Sequence, residues 1–252
     1  MLAPLLGKPL LWHTLRALAS QISFVASLPT ATASEQICAL SPVPDEISST
    51  RCAIFSAQII EFVVAVRDEE REIVQAIFAE SQIALPLVLV NGGETRAASV
   101  QNCVESSRGN FVLVHDAARP CLTSEVTTRV VMQALESGAA IAALPADDTV
   151  KRVQDKNIEE TLERSTIYLA QTPQVFRRDW LHNALQDAQQ SGFVGTDCAS
   201  YVERWLLKNE TSSTRCLVSV VRGDAHNLKV TYADDLARAA DILSSEIANP
   251  ER

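Results

Sequence analysis

Apolar and polar positions alternate along this chain with two periods, and stretches of one kind follow stretches of the other. Short apolar runs of strand length occur at Phe62–Val66, Leu87–Val90, Phe111–Val114, Ala139–Leu144 and Cys216–Val221. Between them, apolar residues recur three and four apart, the period of a helix packed on one face. In Leu10–Ala19 the stripe is Leu11, Leu15 and Leu18; in Glu69–Glu80 it is Ile73, Ile77 and Phe78. Further helices are predicted over Thr95–Val104, Ser124–Ser137, Arg178–Ser191, Asp197–Leu207 and Ala233–Ile247. Ser124 is placed to cap its helix and Gly138 to stop it. Strands and helices in alternation, joined by short turns, specify an α/β fold with a mostly parallel sheet covered on both faces.

Two stretches interrupt this rhythm. Ser27–Thr50 is rich in Ser, Thr, Ala and Pro, with Pro29, Pro42 and Pro44 breaking any regular element. We expect a long loop or an atypical insertion over residues 20–60, within a single domain spanning residues 1–252. Residues 147–171 differ in another way. Two short strands, Thr149–Val153 and Thr166–Ala170, flank a polar stretch, which suits a protruding arm better than a buried layer.

Composition narrows the function. With a formal net charge of −9, the chain is a poor match for nucleic acid or an anionic membrane surface, so neither is expected as a partner. The six cysteines are scattered without a C-x-x-C pair, which disfavours zinc or redox motifs and suits a reducing cytoplasm. No uncharged apolar run is long enough to span a membrane. Ala17–Ala33, interrupted by Gln21 and Pro29, reads poorly as a signal segment.

The chemistry concentrates in Phe111-Val112-Leu113-Val114-His115-Asp116-Ala117-Ala118-Arg119-Pro120. A buried strand of an open α/β sheet delivers ligand-binding groups at its carboxyl end, where Asp116 and Arg119 fall. Asp116 is a hard oxygen ligand suited to Mg²⁺. Arg119 is a planar cation suited to phosphate. The pair fits a metal–phosphate site, and it would equally fit a surface ion pair after a core strand. Four other segments exceed what core packing explains. Gly92-Gly93 before a helix lets backbone approach a ligand. Asp148–Arg152 is polar and basic after a strand. Thr172, preceding Pro173, is biased to an extended conformation with its hydroxyl available. Lys229 stands in the strand-like run Asn227–Thr231, where burial would call for an anionic partner.

In their order and wording, Gly92–Val100, Val114–Pro120, Asp148–Arg152, Glu163-Arg164, Thr172-Pro173-Gln174, Thr196–Ser200 and Asn227–Thr231 resemble the motif series of the 2-C-methyl-D-erythritol 4-phosphate cytidylyltransferase family. The resemblance covers Phe62 to about Leu243, and Leu5–Leu10 is similar to the family's segment just after its nucleotide-binding loop. It implies a Rossmann-like nucleotidyltransferase three-layer sandwich with a β-arm for dimerisation. It also implies transfer of CMP from CTP to methylerythritol phosphate with Mg²⁺, in a homodimer whose active sites are shared. By the same resemblance Asp116, Arg164 and Lys229 are catalytic, and Asp116 is also the metal ligand. Arg119, Thr149, Thr172 and Thr196 bind substrate. Gly92, Gly93, Ser99 and Ala117 hold the nucleotide.

The sequence departs from the family in three places. The family opens with a strand and a Gly-rich loop carrying an Arg and a Lys; this sequence, starting Met1-Leu2-Ala3-Pro4, is expected to lack that loop. Residues 20–60 are much longer than the family's connection, and Cys198 stands where a carboxylate is usual. The loop's absence would fit an incomplete reading frame of a real enzyme, or a non-catalytic nucleotide-binding homologue. A ribitol-phosphate-type cytidylyltransferase is the remaining alternative. The second alanine of His115-Asp116-Ala117-Ala118-Arg119-Pro120 favours methylerythritol phosphate, since the ribitol enzymes tend to carry a bulkier residue there.

Overall fold

The computed structural model describes residues 2–27, 59–209 and 217–248. Two short strands, β1 (Pro4–Leu5) and β2 (Lys8–Pro9), form a hairpin that leads into α1 (Leu10–Ser27). Leu11, Leu15 and Leu18 are buried along α1 as the pattern requires. The helix runs to Ser27 and not to Ala19, because no proline or glycine interrupts it sooner. Most of the expected insertion over residues 20–60 lies outside the described residues.

Strand β3 (Phe62–Val66) pairs in parallel with β4 (Leu87–Asn91) across α2 (Arg71–Glu80). A 3₁₀ turn over Asp68–Glu70 precedes α2 and sets its buried stripe at Val74, Ile77 and Phe78. Ile73, expected inward, is instead 47% exposed. Helix α3 (Arg96–Ser106) follows, capped by the Thr95 side chain, and then β5 (Phe111–Val114). Helix α4 (Ser124–Ser137) has Thr123, not Ser124, at its N-cap position. Gly138 ends α4 at φ +87°, where a Cβ would also sit 2.5 Å from the Trp180 ring.

Strand β6 (Ala139–Pro145) continues into an exposed hairpin, β7 (Lys151–Gln154) and β8 (Asn157–Thr161). The arm is therefore built differently from the sequence reading. Asp155 and Lys156, both at positive φ, make a two-residue turn inside the polar stretch. Thr166–Ala170 is not the second arm strand: Thr166 ends a 3₁₀ turn, and Tyr168 begins β9 (Tyr168–Arg177). β9 pairs antiparallel with both β5 and β6, placing it inside the sheet. Helices α5 (Arg178–Ser191) and α6 (Cys198–Lys208), strand β10 (Ser219–Arg222) and helix α7 (Ala233–Ala248) complete the order.

The four-stranded sheet has the order β10-β6-β9-β5. β5, β6 and β10 share one direction and β9 opposes them. Side chains alternate between the two faces. Ala140, Ala142 and Val175 pack with α1, α2 and α4, while Ala139, Ile141 and Phe176 pack with α3, α5 and α6. That double coverage explains why β6 reads as an unbroken apolar run. It also gives the Rossmann-like three-layer sandwich. A smaller cluster, with Leu5, Leu10, Cys121 and Ala239, seats α7 against β1.

Candidate active site

Five segments meet at one end of the sheet. β5 stops at Val114, and the chain turns through His115–Pro120. The neighbouring β9 carries Gln171, Thr172 and Gln174. The start of α6 brings Thr196 and Asp197, the first turn of α3 brings Arg96, and the loop before α7 brings Asn227 and Lys229. They enclose a cavity of about 310 Å³. Asp116, Arg119, Thr172, Thr196 and Lys229, all anticipated from sequence, line it. So do Arg96, Ala170, Gln171, Gln174 and Asp197, which were not singled out as site residues.

Cations converge on Asp116. Its Oδ2 is 3.1 Å from Lys229 Nζ and 3.7 Å from Arg119 Nε, and its Oδ1 is 3.5 Å from Arg96 Nη2. Burial alone would raise the Asp116 carboxyl; Lys229, Arg96 and Arg119 outweigh it and hold the group below the usual carboxylate range. Burial pushes the Arg119 guanidinium down and Asp116 only partly offsets this, yet a guanidinium stays protonated at any physiological pH. Three cations facing one carboxylate leave the cavity with unspent positive charge, the condition for taking up an anion. Lys229 is not in a strand. The segment Asn227–Thr231 is irregular, held where Val230 N–H bonds Ala118 O.

Behind the cavity the polar groups are tied together. Arg119 Nη1 donates to Asn227 O at 2.6 Å, and Asn227 Nδ2 donates to Thr172 O at 2.7 Å. The Thr172 hydroxyl accepts the Asp116 N–H at 3.0 Å and lies 3.0 Å from His115 Nδ1. Thr172 therefore lines the site with a hydroxyl already engaged inside the protein. Desolvation lowers His115 to about 4, so its ring is neutral. Gln174, 1% exposed, donates to Asp197 Oδ2 and accepts the Cys198 N–H. Asp197 in turn caps α6 through Ser200 N–H. Asp197 is thus committed to structure, and Asp116 is the cavity carboxylate that faces the cations.

The other anticipated residues lie apart from this cavity. Gly92, Gly93 and Ser99 form their own unit beyond β4, where Gly93 N–H donates to Ser99 Oγ at 3.0 Å. A Cβ at Gly93 would meet Ala98 Cβ at 2.4 Å, so the loop is packed for glycine. Ala117 accepts the Thr14 hydroxyl through its carbonyl. Arg96, at the head of the helix that carries Ser99, links this unit to the cavity. Thr149 is exposed at the root of the arm. Arg164 is exposed beside it and donates to Asp147 O at 2.7 Å. Within one chain, neither lines the cavity. Arg96, His115 and Asn227 all stood inside quoted motifs, while the contacts through which His115, Gln171 and Asn227 act are ones that no local spacing encodes.

A family model for 2-C-methyl-D-erythritol 4-phosphate cytidylyltransferase matches residues 45–245. The enzyme of that name from Bacillus pumilus is 38% identical over 191 residues, covering 75% of this chain and 80% of its own length. That from Bacillus licheniformis is 44% identical over 165 residues, covering 65% of this chain and 68% of its own length. Among solved structures, 4-diphosphocytidyl-2C-methyl-D-erythritol synthase from Anaerococcus prevotii superposes with a TM-score of 0.73 at 22% identity. That match covers 96% of this chain and 88% of the other, and it supports the fold.

Proposed function

Because the chain belongs to the 2-C-methyl-D-erythritol 4-phosphate cytidylyltransferase family, we infer that it is a cytidylyltransferase acting on CTP and 2-C-methyl-D-erythritol 4-phosphate. The products are 4-diphosphocytidyl-2-C-methyl-D-erythritol and pyrophosphate, a step of the non-mevalonate isoprenoid pathway. A phosphate oxygen of the acceptor bonds to the α-phosphorus of CTP, and the bond from that phosphorus to the bridging oxygen of pyrophosphate breaks. The observation that carries the reading is the convergence of Lys229, Arg119 and Arg96 on Asp116 in one cavity.

Two anions must meet for this reaction, so positioning and charge neutralisation do most of the work. Lys229 and Arg119 supply fixed positive charge where phosphates would lie. The Gly92-Gly93 and Ser99 unit offers a close-packed backbone for the cytidine. Mg²⁺ is commonly held by one or two carboxylates together with substrate phosphates, and Asp116, on the cavity wall, fits that donor role. When bound, Mg²⁺ would offset the charge building on the α-phosphate and on the departing pyrophosphate.

Arg164 and Thr149 do not line this cavity in their own chain, which supports a homodimer in which each arm completes the partner's site. A cytoplasmic location is supported by the free thiols of Cys103 and Cys198. Among the described residues, no helix is long and apolar enough to cross a membrane.

The test is pyrophosphate release from CTP, methylerythritol phosphate and Mg²⁺. The folded wild-type chain should be active, and D116N should lose at least about 10²-fold in kcat with its fold retained. Equal turnover by the two proteins, or silence from folded wild type, would overturn the reading.

A further inference from the structure

Four residues close a cycle of hydrogen bonds behind the cavity. Thr172 Oγ1 meets His115 Nδ1 at 3.0 Å, and His115 Nε2 meets Arg119 O at 3.1 Å. Arg119 Nη1 donates to Asn227 O, and Asn227 Nδ2 donates to Thr172 O. The cycle joins β9, the turn after β5 and the loop before α7. Asp116 follows His115 directly, and Lys229 lies two residues beyond Asn227.

The direction of each bond follows from the atoms. A carbonyl oxygen only accepts, so the proton of the neutral ring sits on Nε2 and points at Arg119 O. Nδ1 is then a bare acceptor, and Thr172 must donate its hydroxyl proton to it. The same oxygen accepts the Asp116 N–H. Arg119 N–H also donates to Asp116 O at 2.9 Å, so the ring braces a closed turn from both ends.

We propose that His115 is a positioning residue of the transfer reaction. Through the Thr172 hydroxyl it fixes the backbone from which Asp116 projects. Through Arg119 O it fixes the turn from which the guanidinium projects. This rests on the cytidylyl-transfer reading for its substrate, and on the hydrogen-bond cycle for its mechanism. Without the ring, Asp116 and Arg119 keep their chemistry and lose their mutual aim.

In pyrophosphate-release kinetics, H115F is expected to lose about 10–100-fold in kcat, with KM for CTP little changed. H115N can place Oδ1 near the Nδ1 position but leaves Arg119 O without its donor, and should recover part of the loss. T172V should cost less in the H115F background than in wild type, because the Thr172–His115 bond is already lost there and only the Asp116 N–H contact remains to be removed. Full kcat in folded H115F, or H115N no better than H115F, would overturn the proposal. Should H115F fail to fold, T172V must lower kcat and T172S, which keeps the hydroxyl, must retain most of it. The ¹⁵N spectrum of the ring supplies a readout independent of turnover. A bare Nδ1 with the proton on Nε2 is expected, and an Nδ1–H form would sink the relay. Wild-type protein that releases no pyrophosphate would count against the transfer reading, and the spectrum would still decide the relay.

Discussion

Asp116 meets three cations within 3.7 Å and is mostly enclosed. Its folded carboxyl lies below the value near 4 that an unfolded chain would show. The stabilisation this gives is complete above the unfolded value and is lost as pH falls through the lowered folded value. Melting curves taken between about pH 2 and 5 should therefore drop more steeply for wild type than for D116N. Parallel slopes would mean that the three cations do not grip the carboxylate in solution. The residue itself was legible, because a strand end in an α/β sheet is where such groups are delivered. His115 was not. Its bond to Thr172 spans 57 positions, and nothing in a local window distinguishes a histidine that braces a turn from one that faces water.

At the level of elements, the alternation of periods located most strands and helices to within a few residues. β9 is the instructive miss. Pro173 argues against a strand inside a sheet, since proline cannot donate to a ladder. The structure tolerates it where both ladders break. β5 ends at Val114, opposite Gln174, and the β6–β9 register shifts between Ile141 and Ala143. The interrupted ladder is also where Thr172 turns its hydroxyl toward Asp116. Helix α6 shows a second coupling of element and site. Its cap, Asp197, also holds the buried amide of Gln174, so D197A should cost about 2–4 kcal/mol by combining a lost cap with an unpaired buried group. Urea unfolding would measure it. A loss under about 1 kcal/mol would show that Gln174 finds another partner.

Across the whole molecule, acidity and function point in opposite directions. The chain carries a net −9, yet its cavity gathers Arg96, Arg119 and Lys229. Bulk charge argued against nucleic acid as a partner and said nothing about a local cluster assembled from segments distant in sequence. The arm raises the same question of what one chain contains. If Arg164 serves the partner's site, mixing D116N with R164A should restore turnover, since one of the two sites in a mixed dimer would hold both native residues. No recovery after subunit exchange would place Arg164 in its own chain's site or outside the reaction. Every residue of β7 and β8 is exposed, so the hairpin contributes nothing to its own core. Fold and task are separable there. A library randomised over those two strands, sorted for soluble expression, should retain nearly any sequence that preserves the turn. Sorted again for turnover, it should collapse onto the few positions that another molecule reads. The arm would then serve as a site where specificity for a companion subunit can be rewritten without renegotiating stability.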